Sequence, residues 1–237
     1  MTVPTGPEAG GELLVLGLEE IPEVSEGDDL AALIAAAAPE GGFRDGDVVV
    51  IAHKAVSKAE GRLVEGAVRA AAIEAESARI LRRSGEVVIS ETRHGFVCAN
   101  AGVDASNVAP GWICLLPVDP DLSARRLRAR LLHLAGADVA VIVSDTFGRT
   151  WRKGQTNVAI GVAGIDPFLD YRGRRDSFDN ELSATIICVA DELAGAAELV
   201  MGKSTGRAAA LIRGAGIVRG PGAAAAIVRP PEEDLFR

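Results

Sequence analysis

Short apolar runs alternate along the chain with stretches of helical periodicity. Leu13–Leu18 and Asp47–Ala52 read as strands, and unbroken valine and isoleucine make the second a buried one. Val139–Val143 (VAVIV) is a third strand of the same kind. Glu86–Glu91, Trp112–Leu116, Asn157–Val162 and Leu182–Val189 read as extended. Between these runs, Asp28–Ala38, Val68–Arg83, Asp121–Leu134 and Asp191–Met201 carry helical patterns. Gly27 and Asp28 mark the start of the first helix. Arginines close the second before Ser84-Gly85, where cations suit the helix dipole. Residues 221–237 read as loop. The pattern predicts a mixed α/β chain with no repeat, linker or internal boundary, hence a single domain over 1–237.

Composition narrows this picture mainly by exclusion. A chain of 237 residues, 48% hydrophobic, is long and apolar enough to bury a core, which excludes disorder. A net charge of −8 and 4% aromatics exclude a nucleic-acid binder, which needs basic stripes and stacking platforms. No apolar run reaches the roughly 18 residues that span a bilayer. Residues 1–12 carry Glu, Pro and Gly rather than a basic and then apolar leader. Cys98, Cys114 and Cys188 match neither a disulfide framework nor a zinc knuckle. A cytoplasmic protein with reduced thiols, no nucleic-acid partner and no membrane partner is expected.

The residues that could carry chemistry lie in a few polar segments. Asp145 follows the Val139–Val143 strand, and ligands of α/β sheets collect at the carboxyl ends of strands, where a carboxylate can hold Mg²⁺ beside a phosphate. Thr146 adds an oxygen next door. Asp104 lies in Asn100-Ala-Gly-Val-Asp-Ala-Ser-Asn107, too rich in turn formers to be core. Either aspartate serves equally well as a turn or cap residue, and spacing does not show that the two meet. Lys54 and Lys58 share a face if their segment is helical and would suit a polyphosphate; a solvated turn is the simpler reading. The four arginines of Asp121–Leu134 read as an ordinary solvated face. Gly202-Lys203-Ser204-Thr205 looks like the end of a P-loop, but Ala197 replaces the required glycine and the run follows a helix instead of preceding one. A Walker-type NTPase is therefore excluded. His53, His94 and His133 have no metal-ligand partner at useful spacing, and no nucleophile elbow is present.

Taken together, several segments resemble the coenzyme F-420-0:L-glutamate ligase family, including the ligase part of its bifunctional actinobacterial members. They are Gly46-Asp-Val-Val-Val-Ile51 with Val56-Ser-Lys-Ala-Glu-Gly-Arg62, Asn100-Ala-Gly-Val-Asp-Ala-Ser-Asn-Val108, and Leu116-Pro-Val-Asp-Pro120. Ser144-Asp-Thr-Phe-Gly-Arg149 with Trp151-Arg-Lys-Gly-Gln155, and Asn180-Glu-Leu182 with Val189-Ala-Asp-Glu192, continue the series in family order. The resemblance implies a GTP-dependent ligase that adds L-glutamate to F-420-0 or its dehydro form through an acyl phosphate, and extends a γ-linked tail. It implies two intertwined subdomains, a homodimer, and Mg²⁺ or Mn²⁺ as two ions, with K⁺ beside them. Asp104 and Asp145 match the metal carboxylates, with Thr146 a neighbouring ligand; with Lys58 the two aspartates form the expected catalytic set. Nucleotide contacts are expected from Ile21, Pro22, Glu23 and Val24, from His53, Lys54, Lys58 and Asn107, and from Met201, Gly202, Lys203, Ser204, Thr205, Gly206 and Arg207. Three features depart from the pattern. His53 stands where members usually have Ser or Thr. Lys203 stands where some carry an acidic residue, and a charged lysine cannot ligate a metal. The chain also ends at Arg237, before the reductase-like domain of the bifunctional members. The His53 and Lys203 departures motivate a rival reading, a non-catalytic nucleotide-binding subunit that needs a reductase-like partner; a metal-dependent phosphohydrolase is a third.

Overall fold

The computed structural model describes residues 11–66 and 68–235, so most of the 1–12 segment and the last two residues of the 221–237 tail lie outside it. In chain order the first elements are β1 (Leu14–Gly17), α1 (Leu30–Ala36), β2 (Val48–Ala52), α2 (His53–Ala59), β3 (Leu63–Glu65) and α3 (Arg69–Glu76). There follow β4 (Ser77–Ser84), β5 (Val87–Thr92), β6 (Val97–Ala99), β7 (Trp112–Cys114) and α4 (Pro120–Ala135). The chain continues through β8 (Ala140–Arg149), β9 (Arg152–Ala163), β10 (Phe168–Asp170), β11 (Ile186–Cys188), α5 (Val189–Met201) and β12 (Ala209–Arg213). This is the mixed α/β class expected.

The central sheet has the order β1-β12-β2-β8-β9, with β2 and β8 parallel and every other pair antiparallel. The apolar runs fall in its middle strands: Val48 to Ile51, Val141 to Val143 and Ala209 to Ile212 are fully buried, as expected of strands covered on both faces. The helix α4 packs on β8 and β9, and α5 packs on β1, β9 and β12. A separate, smaller apolar cluster joins Ile73, Val88, Val103, Ile113 and Leu115, which ties the β3–β7 pair to the β4-β5-β6 sheet.

Three readings need correction. The helix predicted over Val68–Arg83 ends at Glu76, where the Ser77 hydroxyl donates to the Ile73 carbonyl, and its second half is the strand β4, paired antiparallel with β5. Gly85, with φ +59°, makes the turn. The basic residues that suggested a helix end are cross-strand and tertiary partners: Arg79 binds Glu91 at 3.0 Å, and Arg83 binds Glu74. Pairing with β5 thus overrides a local helical preference to which the arginines themselves contribute. The run Leu182–Val189 is a strand only at Ile186–Cys188; Gly173 and Leu182 close the loop before it, and α5 already begins at Val189. Finally, Asp145 does not follow its strand. It lies within β8, just past an irregularity in the β8–β9 ladder between Val143 and Ser144. No helix of the described residues is long and apolar enough to cross a membrane.

Candidate functional site

The parallel pair β2–β8 sets the site. Ala52 pairs with Ser144, so the residues that follow them, His53 and Asp145, arrive at the same level. His53 is the first residue of α2, which follows β2 without a connecting residue, and this helix gives Lys54 and Lys58 the shared face that their spacing allowed. The His53 imidazole is 3% exposed and lies with Nε2 at 3.2 Å from Asp145 Oδ1. The same Oδ1 accepts the Thr146 N–H at 2.6 Å, so among the described residues neither bond uses Oδ2. His53 Nδ1 is buried and has no partner among the described residues. Burial pushes the Asp145 carboxyl up, but His53, the Thr146 N–H and Lys54 outweigh it and hold it below the usual carboxylate range.

Asp104 reaches the same place from a loop. Its backbone bridges to Cys114 of β7, which fixes the segment beside α2. Lys54 Nζ lies 2.5 Å from Asp104 Oδ2 and donates to Ser106 Oγ at 2.6 Å; Ser106 in turn donates to Asp104 from both its N–H and its hydroxyl. Burial raises the Asp104 carboxyl, and the bonds from Lys54 and Ser106 overcome this and bring it down to about 2. Lys54 thus pairs directly with Asp104 and also lowers the Asp145 carboxyl through its charge.

Two further segments close the arrangement. Lys203 Nζ donates to Thr146 Oγ1 at 2.5 Å and lies 3.0 Å from Glu198 Oε1, while Asn107 Nδ2 donates to the Lys203 carbonyl at 3.4 Å. Thr146 donates its own hydroxyl to Asn157 Oδ1 at 2.6 Å, and Asn157 Nδ2 binds Glu198 at 3.0 Å. Lys58, 8% exposed, pairs with Glu23, which brings the Ile21, Pro22, Glu23 and Val24 loop to α2. Arg207 binds Glu19 at 2.8 Å and the Val200 carbonyl at 3.0 Å, and so anchors the segment after α5.

Asp145 with His53 and, through its neighbour Thr146, Lys203 and Asn107 form one set of contacts, and Asp104 with Lys54 and Ser106 forms a second, the two adjoining along the chain at His53–Lys54 and Ser106–Asn107. Lys58 lies one turn after Lys54 on α2 and pairs with Glu23. Met201 does not point to the site: its side chain is 2% exposed in the main core. Gly202, Ser204, Thr205 and Gly206 lie in the exposed turn after α5, where Thr205 bonds the Met201 carbonyl. His94 bonds the Pro117 and Val118 carbonyls, and His133 is exposed in the last turn of α4. Sequence reasoning missed Ser106, Asn157 and Glu198. Asn157 has a signal in hindsight, because it stands opposite Thr146 in the β8–β9 hairpin; Glu198 has none.

The nearby thiols are inert. Burial raises Cys98 to about 12 and Cys114 to about 11, so neither supplies a thiolate nucleophile near neutral pH. Among the described residues no three His, Cys, Asp or Glu side chains are arranged to hold a metal ion. Two carboxylates with Ser106 and Thr146 hydroxyls are nevertheless a hard oxygen set. Such a set suits Mg²⁺ or Mn²⁺, which is bound through one or two carboxylates and completes its shell from water and substrate phosphates. A cavity of about 250 Å³ adjoins the site, lined by Phe96, Phe147, Val158, Asp191 and Arg229, and Phe147 directly follows Thr146.

Residues 19–214 match the profile of the family described as F420-0:Gamma-glutamyl ligase. The chain is 44% identical over 247 residues to the Coenzyme F420:L-glutamate ligase of Methanothermobacter thermautotrophicus, covering 94% of this chain and 98% of that one. It is 44% identical over 256 residues to the protein of the same name from Methanopyrus kandleri, covering 96% and 100%. With the Archaeoglobus fulgidus protein of that name the identity is 40% over 242 residues, covering 94% and 96%.

Proposed function

Because the chain belongs to the F420-0:Gamma-glutamyl ligase family, we propose that it joins L-glutamate to coenzyme F420-0 and that GTP drives the reaction. The observation that carries this reading is the pairing of His53 with Asp145 and of the adjacent Lys54 with Asp104 at the start of α2, with Lys203 on the neighbouring Thr146. A carboxylate of the acceptor attacks the γ-phosphorus of GTP, the bond to the β-phosphate oxygen breaks, and GDP leaves. The glutamate amine then attacks the acyl carbon of the acyl phosphate; inorganic phosphate departs and the amine loses its proton. Such a sequence needs positioning and charge neutralisation, not a protein nucleophile, which agrees with the inert thiols.

Each residue has a task in this scheme. His53 and the Thr146 N–H hold Asp145 through Oδ1, and both contacts leave Oδ2 out. Lys54, paired with Asp104, is placed to exchange that partner for a phosphate oxygen. Lys58 faces the Ile21–Val24 loop, the expected boundary of the nucleotide. A divalent ion held by Asp104 and Asp145 supplies further charge neutralisation on phosphate oxygens when bound. The cavity beside Phe147 offers the acceptor ring an apolar wall, with Arg229 as a cationic partner.

The test is incubation of the protein with F420-0, L-glutamate, GTP and either Mg²⁺ or Mn²⁺, followed by mass spectrometry. A gain of one glutamyl residue with matching release of GDP is expected, and further gains would report the tail. No gain with either metal overturns the proposal; GTP bound without GDP release supports the non-catalytic reading instead. The homodimer belongs to the same proposal, and light scattering of the purified protein at twice the chain mass is the expected result.

A further inference from the structure

We propose that the Lys203 ammonium is a built-in cation at the Thr146 end of the site, so that this chain takes a single divalent ion, at Asp104 and Asp145, and Lys203 itself binds a phosphate oxygen. The inference rests on the reading of the site as one for phosphoryl transfer from a nucleotide. Its basis is the surroundings of one atom. Lys203 Nζ lies among Thr146 Oγ1 at 2.5 Å, Glu198 Oε1 at 3.0 Å and Asn157 Oδ1 at 3.4 Å. Three oxygens from β8, α5 and β9, one of them an anion, are the donor set that a hard cation takes, and the ammonium fills it.

The position is fixed by more than a flexible stem. The Gly202 N–H bonds the Glu198 carbonyl at 2.9 Å, and Asn107 holds the Lys203 carbonyl, so the residue begins directly beyond the carbonyl end of the 13-residue helix α5. That end of a helix favours a positive charge. Thr146 gives its hydroxyl proton to Asn157, so its lone pairs face the ammonium.

A second divalent ion at the Thr146 oxygen would have to share that oxygen with an ammonium, at a separation where like charges repel strongly. The neighbouring carboxylate is different, because among the described residues the His53 and Thr146 N–H contacts of Asp145 both fall on Oδ1. The two ends of the site are therefore unequal: one retains an open anionic oxygen, and the other is already neutralised. An ammonium also has three N–H donors. Two are engaged by Thr146 and Glu198, and the third reaches Asn157 only at 3.4 Å, so this longest bond is the one that a phosphate oxygen replaces, which gives Lys203 the part of a point charge that needs no metal.

Mn²⁺ is the probe, with the β,γ-imido analogue of GTP as the nucleotide. Bound Mn²⁺ is counted by electron paramagnetic resonance and located by anomalous scattering in crystals. For the unaltered chain about one ion per chain is expected, beside Asp145; for Lys203→Glu, about two, the added one beside Thr146. Lys203→Met keeps the stem without the charge; it is expected to open the same position and to weaken analogue binding about tenfold. It also serves if the glutamate variant does not fold. An anomalous peak beside Thr146 in the unaltered chain overturns the proposal, and so does a count that stays at one in both variants. Failure of the unaltered chain to bind Mn²⁺ or the analogue at all overturns the phosphoryl-transfer reading itself.

Discussion

Asp145 is the residue on which most of the site depends, and its environment shows how. Both protein hydrogen bonds converge on Oδ1, so the carboxylate is oriented without its other oxygen being consumed. Asp145→Asn keeps the shape and removes the charge. Turnover is expected to fall about 100-fold or more, with the melting temperature within a few degrees of the unaltered chain; activity close to that of the unaltered chain would remove Asp145 from the reaction. His53 acts at one remove. His53→Ala is expected to weaken Mn²⁺ binding about 10- to 100-fold, with activity recovering at high Mn²⁺, because an outer hydrogen-bond partner sets the orientation of a ligand and not its presence. Loss of activity that no Mn²⁺ concentration restores would contradict that role. The two aspartates and Lys58 are legible in the sequence through the segments around them, yet the His53–Asp145 contact is not. It exists only because β2 and β8 are parallel neighbours, a pairing between distant segments that local periodicity does not encode.

At the scale of elements, the β8–β9 hairpin carries Asp145, Thr146 and Asn157, and α4 packs against it with almost no spare room. Gly161 marks the tightest point: a Cβ there would stand 2.2 Å from the Pro120 carbonyl oxygen, a backbone atom that cannot turn aside. Gly161→Ala is expected to destabilise by about 2–3 kcal/mol or more, since α4 must shift away from the sheet. Gly148, in the same hairpin, would meet nothing within 4 Å, and Gly148→Ala should stay within about 0.5 kcal/mol. Denaturant unfolding of both variants measures the contrast, and equal stabilities would show that the helix–strand contact is not rigid. The central strands are legible because burial on both faces leaves unbroken valine and isoleucine. The stretch from α3 into β4 is not. Mostly exposed and rich in arginine, it carries a helical pattern that no burial enforces, and its fate is decided by β5.

Across the whole molecule, burial and charge act in concert on the site. Cys98, Cys114 and Cys188 are raised to about 12, 11 and 12, largely by burial. At pH 8 a thiol reagent is therefore expected to modify fewer than one cysteine per native chain within minutes and all three after denaturation. Prompt reaction of a native thiol would show that the interior opens. Charge sets the harder problem. The chain carries a net charge of −8, and the ligands proposed for it are anions. The lysines around the site do not offset this freely, because each already has a carboxylate: Lys54 has Asp104, Lys58 has Glu23, and Lys203 has Glu198. A nucleotide that enters must break these pairs or arrive with a cation of its own. Local neutralisation, and not long-range attraction, then controls affinity, and added monovalent salt should strengthen binding slightly by screening the net repulsion. Removal of divalent ions with a chelator should weaken binding of the GTP analogue by about 100-fold, a loss of the size expected when a multiply charged phosphate group loses its main counter-ion. Calorimetric titration with Mn²⁺ and with excess chelator measures the ratio. An affinity that survives chelation would mean that the three lysines leave their carboxylates readily, and that the acidic character of the chain is no barrier at the site.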